Sequence, residues 1–365
     1  MLAATLAFLE ECGGSPGRAS HGKSLDSSRA VYNTRDLLSS LFHTSYAERI
    51  IFTKNATEAM NMVLFGFLDS GDHVIASSME HNAVMRPLRR LEAQGVRLTI
   101  APCDSAGRLD PSLIQQALTP RTKLIVLTHA SNVTGTLLPL AEVGAIAKTA
   151  GVRFAVDAAQ TAGVCALDMA ENCIDFLVFT GHKALGGPQG TGGLALGPDV
   201  ELRPLIYGGT GSASESEIQP SFLPDKLESG TLNAVGIAGL GASLEDLTHF
   251  GVANVLVHER RMIRLLREGV RRISGVKVYG PDDPDECVGV LSLNIGDVPC
   301  TDAGVRLERE FGVLTRTGLH CAPAAHRTIG TFERGAVRFS VSRFTTEQDI
   351  EAAVKAIASI AQGSV

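Results

Sequence analysis

TGHKALGGPQGTGG, residues 180–193, puts one lysine, Lys183, between an apolar run at 176–179 and a cluster of glycines. A strand ending in a polar turn delivers side chains to the carboxyl edge of a sheet, where open α/β folds keep their ligands. The glycines beyond it let backbone approach a ligand closely. A lysine held there loses its proton readily and forms an imine with an aldehyde, the usual route by which lysine becomes catalytic. A lone lysine beside glycines is more often a surface residue. The residues elsewhere in the chain change that reading.

Outward from this stretch, apolar runs and amphipathic segments alternate. Strands are predicted at 49–52, 73–76, 96–101, 123–128, 153–156 and 176–179, and helices at 25–43, 56–67, 83–93, 111–118 and 140–150. Such alternation predicts an α/β fold, with a mainly parallel sheet covered by helices on both faces. Residues 11–25 and 204–224 read as polar loops. Helices at 234–247, 252–273, 302–311 and 347–361, with strands at 277–279, 289–294 and 336–341, predict a smaller α+β domain. The expected division is an arm at 1–24, a large domain at 25–245 and a small domain at 246–365.

Composition narrows the function. The chain has 365 residues, enough for a large and a small domain, and a net charge of −6 that gives no support to nucleic-acid binding. No apolar run approaches membrane-spanning length, and the first residues lack the basic start of a signal peptide. Seven scattered cysteines without CxxC spacing argue for a reducing compartment, with neither a disulfide framework nor a metal site. A cytoplasmic protein is the expectation.

Polar residues follow the predicted strands one after another. Ala56 and Thr57 open a helix, whose free N–H groups and dipole suit a phosphate, although Thr57 is also a plain capping residue. His81 has the chemistry of a stacking or acid–base group, or of a packed histidine. Asn132 either donates to a ring oxygen or stabilises its turn. Asp157 ends a strand, with Gln160 three residues on; an acid there holds a ring nitrogen protonated, or simply caps the next segment. Thr180 and His182 flank Lys183. Together these suit a flat, phosphorylated, aldehyde-bearing cofactor, pyridoxal phosphate. A second cluster holds Arg316, His320 and Cys321, then Arg338. Basic neighbours favour a thiolate at Cys321, and Arg338 has the fork for a substrate carboxylate; a structural cysteine and a surface arginine are the alternatives.

The combination NATEA, MEH, SNVTGT, VDAAQ, TGHK and RTGLHCAP resembles the class V branch of the fold-type-I pyridoxal phosphate enzymes. More narrowly it is similar to the cysteine desulfurases and selenocysteine lyases, from about residue 13 to about residue 350. The short interval between Cys321 and Arg338 is similar to the group II, short-loop enzymes. The resemblance implies that Lys183 bonds the cofactor aldehyde, Asp157 pairs with the pyridine nitrogen, and His81 stacks on the ring. It places Gln160 and Asn132 by the ring oxygen and cofactor face, and Ala56, Thr57, Thr180 and His182 at the phosphate. Thr231, in ESGTLN, is implied to reach the phosphate of a partner subunit, so that the active site needs a homodimer. Arg338, with Asn132 and Arg316, is implied to bind substrate, and Cys321 to accept its sulfur. The implied reaction turns L-cysteine, or L-selenocysteine, into L-alanine, and the sulfur passes through a persulfide on Cys321 to an acceptor protein. Other class V aminotransferases and lyases share the cofactor but need no nucleophilic thiol. Family members begin with a strand and turn like LDNAAT; this chain starts after it. The arm is therefore expected to be shortened, and a truncated, non-catalytic cofactor-binding paralogue is a further alternative.

Overall fold

The computed structural model describes residues 1–17, 21–44 and 46–363. Strands β1 (Ile50–Thr53), β2 (His73–Ser77), β3 (Arg97–Ala101), β4 (Thr122–Thr128), β5 (Arg153–Asp157), β6 (Phe176–Thr180) and β7 (Gly192–Leu196) form one sheet in the order β1-β7-β6-β5-β4-β2-β3. Pairing is parallel from β3 through β6, while β7 runs antiparallel to both β6 and β1. This is the α/β architecture expected of a fold-type-I pyridoxal phosphate enzyme.

Side chains alternate across a strand, and both faces of this sheet are buried. Ile125, Leu127, Phe154, Val156, Leu177 and Phe179 point to one side, with helices α2 (Gly22–Phe42), α6 (Leu140–Ala150) and α7 (Ala234–Phe250). Leu124, Val126, Ala155, Phe176 and Val178 point to the other, against α3 (Ala56–Phe67) and α4 (Asn82–Glu92). Double burial explains why these strands read as continuous apolar runs. The short α5 (Pro111–Ala117) connects β3 to β4.

Helix α1 (Leu2–Ala7), extended by a π-turn at Phe8–Cys12, buries Phe8 in the first of these cores and lies on α7. Helix α2 begins at Gly22 because the His21 side chain caps it, accepting from Ser24 N; the helix thus starts three residues before its predicted start at 25. Residues 18–20 of the loop predicted before it lie outside the described residues. Strand β7 is an element the sequence reading missed. Beyond α7, helices α8 (Val252–Arg271), α9 (Cys300–Phe311) and α11 (Glu347–Ala361) pack on an antiparallel sheet. Its strands are β8 (Val276–Tyr279), β9 (Val290–Ile295), β10 (Arg316–Gly318) and β11 (Ala336–Ser340), in the order β10-β11-β9-β8. The short α10 (Pro323–Thr328) and β10 also went unread. No helix among the described residues is long and apolar enough to cross a membrane.

Candidate active site

The parallel strands end at one edge of the large sheet, and the residues marked in the sequence gather there. A cavity of about 220 Å³ is lined by Ala56, Thr57, His81, Asn132, Asp157, Gln160, Thr180, His182, Lys183 and Arg316. That size falls below the range of drug-sized pockets and suits a compact ligand. The first nine come from the start of α3, the last residues of β5 and β6, and the turns after β2, β4, β5 and β6. Arg316 arrives from β10 of the small sheet.

Each side chain has a local reason for its position. Asn55 caps α3 by accepting from Glu58 N at 3.0 Å, which leaves the N–H groups of Ala56 and Thr57 turned out of the helix. His81 caps α4: its Nδ1 accepts from Ala83 N at 3.0 Å, so the neutral ring carries its proton on Nε2. Burial lowers the His81 pKa, Asp157 opposes this, and the charges of Lys183, Arg316 and Arg86 reinforce it. Asp157 closes β5, one residue beyond the predicted strand, and accepts from Ala159 N at 2.9 Å. Thr180 and His182 bond to each other at 2.9 Å.

Lys183 is exposed to the open cavity as a side chain, yet the atoms around its amine desolvate it. Burial lowers its pKa; the Asp157 charge works the other way, and Arg338 and Arg316 add to the lowering. Lys183 and Gln160 also face a neighbouring cavity of about 330 Å³ lined by Arg338 and Glu259. Arg338 donates from Nη1 to the Asn132 carbonyl at 2.9 Å, while its buried Nε has no protein partner. Burial and the Arg316 charge bring Arg338 down to about 10, against the pull of Cys321. Asn132 spends its Nδ2 on the His320 carbonyl at 2.7 Å, and its Oδ1 is buried without a partner. Unpaired buried polar atoms are rare, and these two border the cavities beside Lys183.

Cys321 sits outside both cavities and is exposed. Arg316 donates from Nη2 to its Sγ at 3.2 Å, which joins the thiol to the Lys183 cavity through one guanidinium. His320 and Cys321 are consecutive left-handed residues, with φ of +51° and +57°; each costs about 1–2 kcal/mol in that region. The expectation that His320 supplies positive charge to the thiol is corrected. Its ring is buried and bonded to the Arg316 carbonyl and to His326, and burial lowers its pKa to about 4, so it is neutral near pH 7. Thr231 does not join the cavity. It is exposed and lines a separate groove with Ile206, Gly190 and Thr191.

Glu80 was missed by sequence reasoning, although it stands beside His81 in the quoted MEH. It is completely buried, accepts from Thr128 N through both oxygens at 3.0 and 2.9 Å, and also accepts from the Ser77 hydroxyl. It thereby ties the turn after β2 to the end of β4. Burial raises its pKa to about 8 despite those donors. A carboxyl three residues beyond a buried strand was the available signal.

Comparison with known proteins agrees with this fold. The profile of the aminotransferase class-V family matches residues 1–353. The chain is 34% identical over 350 residues to a probable cysteine desulfurase of Methanothermobacter thermautotrophicus, covering 94% of this chain and 87% of that one. Apo cysteine desulfurase from Thermococcus onnurineus superposes with a TM-score of 0.93 at 27% identity, covering 99% of this chain and 91% of the other. The Escherichia coli cysteine desulfurase CsdA superposes at 0.89 and 28% identity, covering 100% and 92%.

Proposed function

This chain belongs to the aminotransferase class-V family, and we propose that it is a pyridoxal phosphate-dependent cysteine desulfurase. It would convert L-cysteine to L-alanine and leave the sulfur as a persulfide on Cys321. One observation carries the reading: Arg316 lines the Lys183 cavity and holds the Cys321 thiol at 3.2 Å. A nucleophilic thiol beside the cavity distinguishes sulfur transfer from transamination.

The residues fit the cofactor. The free N–H groups of Ala56 and Thr57, with Thr180 and His182, would hold its phosphate. Asp157 would face its ring nitrogen and His81 its ring, with the orphaned Asn132 Oδ1 and Gln160 beside it. Lys183 would bond its aldehyde. When bound, the cofactor supplies an electron sink that acidifies the substrate Cα–H.

The protein side of the reaction follows from the geometry. Arg338, anchored through Nη1 and with Nε unspent, would take the substrate carboxylate. Lys183, its pKa lowered, takes the α-proton on Nζ. Cys321 Sγ then attacks the substrate sulfur. An S–S bond forms, the Cβ–S bond breaks with its electron pair on carbon, and carbon takes up a proton to give alanine. The persulfide on exposed Cys321 lies within reach of a protein thiol, which would accept its outer sulfur.

We assign the turns around the cofactor to the large domain at 25–245, and Cys321 and Arg338 to the small domain at 246–365. Thr231 would complete the phosphate site of a partner subunit. Exposed Ile206, Tyr207, Ile218 and Phe222, on the adjoining loop, form apolar surface suited to such a homodimer. A cytoplasmic location accords with seven unpaired cysteines.

The test is alanine formed from L-cysteine by cofactor-loaded protein, wild type beside Cys321→Ala. The variant is expected to keep the visible absorbance of bound cofactor and to form no alanine above background. Alanine at the wild-type rate from Cys321→Ala would overturn the persulfide route.

A further inference from the structure

Cys321 and His320 stand on two left-handed residues in succession, a conformation that side-chain sterics oppose. Something must hold the turn. Its backbone is pinned by Asn132 Nδ2 on the His320 carbonyl at 2.7 Å and by Asn82 N on the Cys321 carbonyl at 2.8 Å. Behind these lies a chain of buried side chains. The His320 ring meets the Arg316 carbonyl through Nε2 at 3.1 Å and His326 Nε2 through Nδ1 at 3.0 Å. His326 Nδ1 in turn meets the Thr331 hydroxyl at 2.7 Å. All three side-chain owners are at most 2% exposed.

The chain runs in one direction only. A backbone carbonyl only accepts, so His320 Nε2 carries a hydrogen and neutral Nδ1 accepts. His326 Nε2 must then donate, and its Nδ1 accepts from Thr331. Burial favours the neutral rings this pattern requires. The end point matters, because the carbonyl is that of Arg316, whose guanidinium holds the Cys321 thiol. The ring of His320 therefore closes a loop between the two residues that face each other across the sulfur.

We propose that Thr331, His326 and His320 form a positioning relay that fixes Arg316 against Cys321 and keeps the thiol in register for sulfur transfer. The proposal rests on the reading of Cys321 as sulfur acceptor. His326 and Thr331 touch neither the cavity nor the thiol, so they act through His320. Glutamine at 326 preserves the pattern, with an amide N–H for His320 and a carbonyl for Thr331; leucine leaves His320 Nδ1 buried without a donor.

The experiment compares holoenzyme of His326→Leu, His326→Gln and Thr331→Val with wild type. Alanine formation gives kcat and KM, and the rate at which iodoacetamide alkylates Cys321, resolved by peptide mass, gives the thiol's disposition without turnover. Misplacement on the ångström scale costs catalysis heavily, so His326→Leu is expected to lose about tenfold or more in kcat with KM within about twofold. Its Cys321 alkylation rate should change by about threefold or more, while His326→Gln stays within about threefold of wild type on both readouts. Wild-type behaviour of His326→Leu on both, or equal impairment by Gln and Leu, would overturn the relay. If the leucine variant does not fold, Thr331→Val decides: a shift in the same direction supports the relay, and identity with wild type refutes it. Cys321→Ala separates the premise. If that variant still makes alanine at full rate, the sulfur-acceptor reading fails, while alkylation in the other variants still reports on the relay.

Discussion

Replacing Glu80 by Gln tests whether burial keeps this carboxyl protonated in the fold. Glu80 is completely buried, and burial lifts its pKa from the ordinary 4.5 to about 8. Below pH 4.5 the folded and unfolded forms are both protonated, and the group adds no pH dependence. Between 4.5 and about 8 the unfolded chain releases a proton that the fold keeps. Stability then falls as pH rises, by about 1.4 kcal/mol per pH unit and about 5 kcal/mol in all, levelling off above 8. Glutamine mimics the protonated acid, with a carbonyl for Thr128 N–H and an amide that donates to the Ser77 hydroxyl once that hydroxyl turns to accept, and does not titrate. The stability of Glu80→Gln relative to wild type is therefore expected to rise by about 3 kcal/mol from pH 5 to pH 7.5. Urea unfolding followed by far-UV circular dichroism, on both proteins at half-unit pH steps, measures that difference from the midpoints at constant m. A difference flat across this range would refute the reasoning, because it would mean that Glu80 ionises as it does in water.

Three further outcomes are expected. Arg338→Lys keeps the charge but loses the fork, so KM for L-cysteine should rise about 10- to 100-fold with a smaller change in kcat, read from initial rates of alanine formation. Glu228→Gln leaves Arg35 as a buried charge without its bidentate partner, whose bonds are 2.8 Å each; urea midpoints should report a loss of about 3–5 kcal/mol. His129 is held by burial at about 4. Its contribution is complete above pH 6.5 and is lost as pH falls toward 4, because only the unfolded chain takes up the proton. His129→Gln should thus lose about 2–3 kcal/mol less than wild type between pH 6.5 and 4.5 in the same titration.

Much of the candidate site was legible because local chemistry wrote it. A strand buried on both faces must be apolar throughout, and the residue that ends it must be polar to reach a ligand; hence 123–128, 153–156 and 176–179 announced themselves, with Asp157 and Lys183 at or just beyond their ends. The boundaries of α6 and α11 matched to the residue because capping and the amphipathic period are local signals. Strand β7 was hidden by its own glycines. They are there for contact: a Cβ at Gly193 would come within 2.4 Å of the Phe179 ring, and one at Gly192 within 2.7 Å of Asn55. The fold squeezes this strand between β6 and β1, and no window of sequence reports that pressure.

The residue types, their order and the sheet edge they share were thus determined by the sequence alone, through periodicity and strand-end chemistry. Tertiary structure decided which distant groups meet. Arg35 pairs with Glu228 across 193 positions, Arg338 reaches Asn132 across 206, and His320 turns from the thiol toward His326. It also decided the protonation of Glu80, His320 and His326, since a pKa follows from the burial and partners that packing supplies. A side chain's identity is written in the chain, but its solvent and its neighbours exist only once the chain has folded.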